Sequence, residues 1–120
     1  MKIAEAASAS GLSAHTIRFY EKSGLIPWVT RGPDGHRDFS QENLAWLVLL
    51  ASLRETGMQT KTMQRFARLY RDGDKTVADR KQILIEHADY LDRQRDALNA
   101  CERLLAQKLA KYDEIIGDQA

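Results

Sequence analysis

Hydrophobic positions recur with a helical period over most of the chain. In Lys2–Ala9 they fall three or four residues apart, which places them on one face of a helix. Gly11 interrupts this pattern, and Ser13 is a residue type that favours the position before a helix. The pattern predicts two short helices, Lys2–Ala9 and Ala14–Lys22, joined by a tight turn.

The helical period is lost in the segment LIPWVTRGPDGHRDFS, residues 25–40. Two short stretches, Ile26–Thr30 and His36–Phe39, are typical of extended strands. The RGPDG segment between them is rich in residues that form turns. We therefore expect a small β-hairpin.

Two further helices are predicted after the hairpin. Ser40 is followed three residues later by Asn43, and this pair can cap a helix that ends near Gly57. A fourth helix should begin near Thr60 and direct its apolar side chains towards the core.

The last part of the chain has the most regular pattern. Neither Pro nor Gly occurs between Thr76 and Ile115, and Thr76 with Asp79 resembles a capping box. At 1.5 Å per residue this helix would be roughly 60 Å long. Its apolar residues form two adjacent rows with a seven-residue repeat: Val77, Leu84, Leu91, Leu98, Leu105 and Tyr112 in one, and Ile83, Tyr90, Ala97 and Leu104 in the other.

A seven-residue repeat of this length is typical of a coiled coil. A lone helix of this kind would expose a large apolar stripe, so we expect it to pair with a second copy of the chain. The alternative is a helix that packs within its own chain.

Charge and composition narrow the range of partners. Residues 1–75 carry eleven Lys and Arg against eight Asp and Glu, whereas residues 76–120 carry seven against nine. This basic bias permits contact with nucleic acid. No apolar run approaches the ~20 residues that span a bilayer, and the first residues lack the apolar stretch of a signal peptide. We therefore expect a cytoplasmic protein with no membrane partner.

Metal sites and disulfides are not expected. Cys101 is the single cysteine, which excludes an intrachain disulfide and a multi-cysteine site. His15, His36 and His87 lie far apart in the sequence on different predicted elements, which argues against a metal site. We expect no cofactor.

Residues 3–22 have the spacing of a helix-turn-helix. Ala7 is small where the second helix must approach, Gly11 lies in the turn, and Ile17 would be the buried anchor. The second helix carries polar side chains in the part that enters a major groove. The hairpin that follows has the composition of a wing lying beside the DNA backbone. The polar residues are His15, Thr16, Arg18 and Tyr20 on the helix, and Arg31, His36 and Arg37 on the hairpin.

Three stretches, IAEAASASGLSAHTIRFYEKSGLI, RGPDGHRDFSQENLAWL and RETGM, are similar to the DNA-binding domain of MerR-type transcriptional regulators. RFYE stands where the family typically has RYYE. The long heptad helix resembles the antiparallel dimerisation coil of that family. The resemblance implies an all-α fold, with a winged helix-turn-helix DNA-binding domain in residues 1–75 and an antiparallel coiled-coil dimerisation helix in residues 76–120.

The resemblance also implies roles for individual residues. Arg18 and Tyr20 match a pair that contacts phosphates, and Arg37 matches a wing arginine that holds the DNA backbone. Such contacts set the register and carry the salt dependence of binding. Ala14 and His15 match positions that face base edges and would set operator choice. The complete predicted DNA-binding set is Ser13, Ala14, His15, Thr16, Arg18, Phe19, Tyr20, Arg31, His36 and Arg37.

By the same resemblance, the chain would act as a homodimer on double-stranded promoter DNA. It would bind a palindromic element within an overlong spacer, then bend and untwist it so that RNA polymerase can engage.

The resemblance is strongest to short family members that respond to aldehydes and other thiol-reactive electrophiles, and no separate effector-binding domain is expected. Such members often carry a cysteine where this chain has Ser52. Cys101 is then the one thiol available to sense a small-molecule effector. We favour the other explanation, that Cys101 packs as a small apolar residue on the coil.

Four aromatic residues, Trp28, Phe39, Trp46 and Phe66, could form a box that stacks on a ligand. They fall at positions expected to face the core, and a small domain needs large side chains there, so we predict that they fill it.

Two other functions fit parts of the pattern. An architectural DNA protein of the excisionase type would share the winged domain but not the long coil. A coiled-coil adaptor whose small domain binds protein would show no salt-dependent affinity for DNA. An enzyme is not expected, because no carboxylate pair, nucleophile–base set or phosphate-binding loop is visible.

Overall fold

The computed structural model describes residues 1–119 and is mostly helical. Its elements are α1 Ile3–Ser10, α2 Ala14–Lys22, β1 Thr30–Arg31, β2 Arg37–Asp38, α3 Gln41–Glu55, α4 Thr60–Arg71, a short 3₁₀ turn Asp74–Thr76, and α5 Val77–Gln119. The predicted fold class, a winged helix-turn-helix followed by one long helix, is confirmed.

The turn between α1 and α2 depends on a glycine. Gly11 has a φ of 78°, in the left-handed region that favours glycine, and its N–H donates to the carbonyl of Ala7 at 3.0 Å. Ala6 and Ile17 are completely buried. Ala7, predicted as the small residue where the second helix approaches, is partly buried and packs against the same core.

The hairpin is shorter than the sequence predicted. β1 and β2 pair antiparallel but have two residues each, instead of spanning Ile26–Thr30 and His36–Phe39. Pro27 has no N–H to offer a neighbouring strand. The carbonyl of Trp28 is already occupied, because it accepts a hydrogen bond from the side-chain amide of Asn43. The segment before Thr30 is therefore hydrogen-bonded to α3 and does not extend the sheet.

Local signals fix α3 and α4 as predicted. Ser40 and Asn43 form a capping box in which each side chain accepts the other's backbone N–H, at 3.0 and 2.9 Å. α4 begins at Thr60. The core beneath these helices includes the buried side chains of Ile17, Tyr20, Leu25, Phe39, Leu47, Leu50, Met63 and Phe66.

The hydroxyl of Thr76 has a different role from the predicted capping box with Asp79. It lies 2.5 Å from the carbonyl oxygen of Leu69 and 2.8 Å from that of Gly73, both of which can accept its proton. Thr76 is buried, and these contacts tie the 3₁₀ turn to the end of α4.

The chain divides into two compact units, the first ending at Leu84 and the second starting at Ile85. The boundary lies inside α5 because Ile83 is buried within the core of the first unit. Within residues 1–119, none of the helices combines the length and the apolar character that crossing a membrane requires.

Candidate nucleic-acid interface

α2 has one buried face and one exposed face. Ile17 and Tyr20 lie in the core, whereas His15, Arg18 and Phe19 are exposed. The exposed face carries a cation, an imidazole and an aromatic ring within two helical turns. It therefore presents groups that suit contact with DNA.

The first turn of α2 is fixed by its cap. The hydroxyl oxygen of Ser13 accepts the N–H of Thr16 at 3.0 Å, and the two hydroxyls lie 2.9 Å apart. Ser13 and Thr16 are therefore paired with each other. Ala14 is half-buried and His15 is exposed between them. The cap thus holds the positions predicted to face base edges on a rigid turn.

Tyr20 does not belong on this exposed face. Its side chain is only 2% exposed, and Arg54 on α3 donates towards its hydroxyl at 3.4 Å. The ring therefore fills the core, and the contact of its hydroxyl with a phosphate stays a prediction. The sequence carried a signal for this burial, since Tyr20 follows the anchor Ile17 by three residues and so shares its face.

The tip of the hairpin is ordered by charges and hydrogen bonds. Asp34 pairs with the ammonium of Lys2 and accepts the N–H of His36 at 3.0 Å. These two hydrogen bonds lower the pKa of the Asp34 carboxyl, and the bond from Lys2 has the larger effect. The guanidinium of Arg31 donates to the carbonyl of Gly35 at 2.9 Å. The wing therefore has a defined conformation.

A basic cleft brings α2 and the hairpin together. Arg18, His36 and Arg37 line it with Lys2 and Ile3. Three predicted contact residues from two separate elements thus meet on one surface.

Glu21, one turn along α2, positions the arginine of the hairpin in this cleft. The Nε of Arg37 donates to the Glu21 carboxylate. Both side chains are partly exposed, so Arg37 is oriented without being removed from solvent.

The remaining predicted residues lie outside the basic cleft. Arg31 and Phe19 are exposed, and neither lines it. The four residues at the start of α2 lie along its first turn: Ser13, Ala14, His15 and Thr16. Most of the predicted set therefore falls into two groups, one at the start of α2 and one in the cleft.

The start of the chain braces the hairpin, which the sequence did not indicate. The amino group of Met1 donates to the Asp38 carboxylate and to the carbonyl of Phe39, each at 2.8 Å. This contact lowers the pKa of Asp38. Lys2 pairs with Asp34 and also lines the basic cleft. Lys2 was missed because no local pattern brings it near residues more than thirty positions away.

The loop after α2 is held by side chains of α3 and α4. Three of its carbonyl oxygens accept hydrogen bonds, which fixes where the hairpin begins. The pairs are Trp46 to Leu25 at 2.7 Å, Arg71 to Gly24 at 2.6 Å, and Gln64 to Ser23 at 3.4 Å.

The four aromatic residues do not share one environment. Phe39 and Phe66 are buried, and Trp46 is partly buried against them. The core prediction is wrong for Trp28, which is 58% exposed. Tyr70, which the sequence did not group with them, lies 4.7 Å from Trp46 between ring centroids.

Cys101 is exposed on α5, in a shallow groove with Leu104 and Leu105. Across residues 1–119, no group of three or more His, Cys, Asp or Glu side chains is arranged to hold a metal ion.

Comparison with known proteins places this architecture in a family. Residues 1–69 match the family model described as MerR HTH family regulatory protein, and residues 44–112 match that described as MerR, DNA binding. An uncharacterised HTH-type transcriptional regulator of Haemophilus influenzae is 40% identical over 111 residues, which cover 92% of this chain and 82% of that protein. The HTH-type transcriptional regulator AdhR of Bacillus subtilis is 37% identical over 91 residues, which cover 76% of this chain and 65% of AdhR.

A solved structure has a similar fold. The crystal structure of HiNmlR, described as a MerR family regulator lacking the sensor domain and bound to promoter DNA, superposes with a TM-score of 0.87. The two proteins are 39% identical, and the match covers 94% of this chain and 90% of the other. These relatives are transcriptional regulators, which confirms that the chain is not an enzyme. The winged helix-turn-helix, the long final helix and these matches together establish that the chain belongs to the MerR family of transcriptional regulators.

Proposed function

We propose that the chain binds a palindromic promoter element as a homodimer and distorts it to control transcription. The observation that carries this proposal is the basic cleft, where Lys2, Arg18, His36 and Arg37 lie on one surface. Cationic donors grouped in this way suit phosphate oxygens, because charge-assisted hydrogen bonds are the strong ones. The position of the cleft between α2 and the hairpin suits a helix in the major groove with a wing on the backbone.

Sequence choice would come from the other end of α2. Ala14 and His15 lie on the capped first turn, which is the part of a recognition helix that contacts base edges. Phe19 and Arg31 are both exposed and would be available to contact DNA. In this arrangement the cleft supplies affinity and the first turn supplies preference for an operator.

The dimer would be formed by α5. Its second part exposes Leu98, Leu105 and Tyr112 from the heptad row, each at least half exposed in the single chain. An apolar row of this length needs a covering surface, and an antiparallel copy of the same helix provides one. Residues 1–75 would then act as the DNA-binding part and residues 76–120 as the dimerisation part.

Distortion of the DNA is the costly step. Bending a site of this size costs of order 1–6 kcal/mol, and phosphate contacts from both copies would offset it. The distorted promoter would be presented to RNA polymerase in the cytoplasm. A small effector would act by biasing two geometries of the dimer.

The test is the salt dependence of binding to duplexes selected from a random pool. Arg18→Ala and Arg37→Ala should weaken binding to all sequences alike. Each should flatten the slope of log K against log salt by about 1.8, because a homodimer loses one phosphate contact in each of its two copies. His15→Ala should instead change which duplex is preferred.

Arg68→Ala is the matched control, because Arg68 is an exposed arginine on α4 that does not line the basic cleft. It should leave both the slope and the preference unchanged. A change in preference for Arg18→Ala with an unaltered slope would reverse the assigned roles. An adaptor that binds protein would show no salt-dependent affinity for any duplex.

A further inference from the structure

An aromatic cavity of about 180 Å³ lies between the hairpin and the start of α3. Both tryptophans of the chain, Trp28 and Trp46, line it, together with Tyr70 from α4. This cavity is separate from the basic cleft, and no residue of the predicted DNA-binding set lines it. A ligand of roughly one aromatic ring would fill it, since a cavity of ~150 Å³ holds benzene.

Two walls of the cavity are rigid. Trp46 stacks on Phe66, with ring centroids 5.2 Å apart and planes 7° from parallel, and its Nε1 donates to the carbonyl of Leu25 at 2.7 Å. The hydroxyl of Tyr70 donates to the Glu42 carboxylate, and this bond raises the pKa of Tyr70 so that the hydroxyl keeps its proton. Both rings are therefore held in place before any ligand arrives.

Trp28 forms the third aromatic wall and has no role in the core. Its backbone is fixed, because its carbonyl accepts from the Asn43 amide, yet its side chain is 58% exposed. Tryptophan carries a large apolar surface and the most favourable ring face for a cation. An anchored backbone with a solvent-facing indole leaves that face available to a ligand.

The charge of the residues that line the cavity indicates whether it favours a cationic or an anionic ligand. Glu42 is the one charged residue among the described residues that line it. The capping box already uses the backbone amides of Ser40 and Asn43, which lowers the attraction of this helix end for an anion. Arg80 lies 5.1 Å from the centroid of Tyr70 but does not line the cavity. Its guanidinium is held by Thr76 and by the carbonyl of Gly73, so it does not neutralise Glu42 by direct contact.

We propose that this cavity is a binding site for a small organic cation, an ammonium group carried on a body about the size of one aromatic ring. The ammonium lies against the rings of Trp28 and Trp46, where cation–π attraction acts, and pairs with the Glu42 carboxylate. The apolar body of the ligand fills the space beside Tyr70. The site goes beyond DNA binding, and its occupancy can be measured without DNA.

The probe is benzylammonium, with benzyl alcohol as its neutral counterpart of the same size and shape. Two-dimensional NMR of the full chain follows the indole N–H signals, and because the chain has two tryptophans, both signals report on the cavity. Benzylammonium should shift both signals saturably, with a dissociation constant at least about tenfold lower than that of benzyl alcohol.

Two variants separate the contributions of charge and ring. Glu42→Gln keeps the shape of the side chain and should reduce the affinity for benzylammonium to that for benzyl alcohol. Trp28→Leu should lower the affinity for benzylammonium about five- to tenfold. This variant should fold normally because the side chain is exposed. Glu55→Gln, an exposed carboxylate at the far end of α3, is the matched control and should change nothing.

Three results would overturn the proposal. Equal affinity for the ammonium and the alcohol would mean a merely apolar pocket. A shift of the indole signals with protein concentration alone would mean that a second copy of the chain covers the cavity. Saturable binding of a proline-rich peptide but not of benzylammonium would mean that the aromatic walls serve a protein partner.

Discussion

The two units of the chain bury their apolar side chains in different ways. In residues 1–84, side chains such as Leu47 and Leu50 are completely buried by neighbouring elements of the same chain. From Ile85 onwards α5 continues without such neighbours, and Leu98, Leu104 and Ile116 are each more than 60% exposed. The first unit contains its own hydrophobic core, whereas the second leaves these large apolar side chains exposed.

This difference follows from the periods of the two patterns. α3 repeats its apolar positions at three and four residues and meets other helices of its own unit. α5 keeps a strict seven-residue row, which suits a partner helix running alongside it. A helix of 43 residues draws most of its stability from packing of its apolar face. The second unit is therefore expected to depend on a second copy, and the first is not.

The largest effect is expected from placing charges in the row of α5. Leu98→Glu combined with Leu105→Glu should raise the dissociation constant of the dimer at least about 100-fold, because each buried, unpaired carboxylate costs several kcal/mol. Sedimentation velocity at micromolar concentration should then show a monomer where the unchanged chain is a dimer.

Asn99→Glu with Ala110→Glu is the matched control, since both residues are exposed on α5 outside the two rows and outside the groove beside Cys101. This variant adds the same two charges and should stay dimeric. If it dissociated as strongly as the leucine variant, the heptad row would not be the contact surface.

The second-largest effect is expected from removing a buried side chain, and it distinguishes a core within one chain from a contact between two copies. Ile17→Ala removes a completely buried side chain of the first unit and should lower the free energy of unfolding by about 2–5 kcal/mol. Because that core is intrachain, the loss should be the same at 2 and at 200 μM protein in urea unfolding. Leu98→Ala should instead weaken the contact between the two copies. The urea midpoint of this variant should therefore depend on protein concentration. A loss for Ile17→Ala that varied with concentration would contradict the comparison.

Acid should loosen the wing of the first unit and leave α5 alone. The pKa of Asp34 is lowered below its ordinary value of 3.8 by the hydrogen bond from Lys2 and by that from the N–H of His36. A carboxyl with a lowered pKa contributes stability above its unfolded value and loses it as the pH falls through the folded value. Asp34→Asn should therefore remove the part of wing stability that disappears below about pH 4.

NMR titration of the side-chain carboxyl signals checks this directly. Asp34 should show a midpoint below 3.8, the ordinary value for an aspartate side chain. A midpoint for Asp34 at or above 3.8 would rule out the pairing with Lys2.

The smallest effect is expected at Cys101. It is exposed on α5 beside Leu104 and Leu105, and packing in the proposed dimer would account for it. Cys101→Ser should leave operator binding and any response to an electrophile nearly unchanged in transcription assays in vitro. Loss of that response with the dimer intact would make Cys101 the sensor.

Most helix ends could be predicted because their signals are local. Ser13 and Ser40 cap α2 and α3 through residues three positions away, so the sequence contains both partners within one turn. The seven-residue row of α5 is equally local, since it is a repeat along one helix.

The errors of prediction involve partners that are distant in the sequence. Lys2 pairs with Asp34 of the hairpin and lines the basic cleft. The side-chain amide of Asn43 donates to the carbonyl of Trp28, a contact associated with the shorter sheet. The exposure of Trp28 follows from that tertiary arrangement and not from the hydrophobicity of its side chain. The burial of Tyr20, in contrast, could be predicted, because its spacing from Ile17 places it on the inner face of α2.

The central claim is that two copies of the chain, joined through α5, place two recognition helices on one palindromic site. The most direct measurement is to select duplexes from a random pool with the full chain, sequence them, and weigh the resulting complex. We predict enriched sequences with two half-sites related by a dyad, and two chains on each duplex. A single half-site bound by one chain, or no enriched sequence at all, would contradict the account.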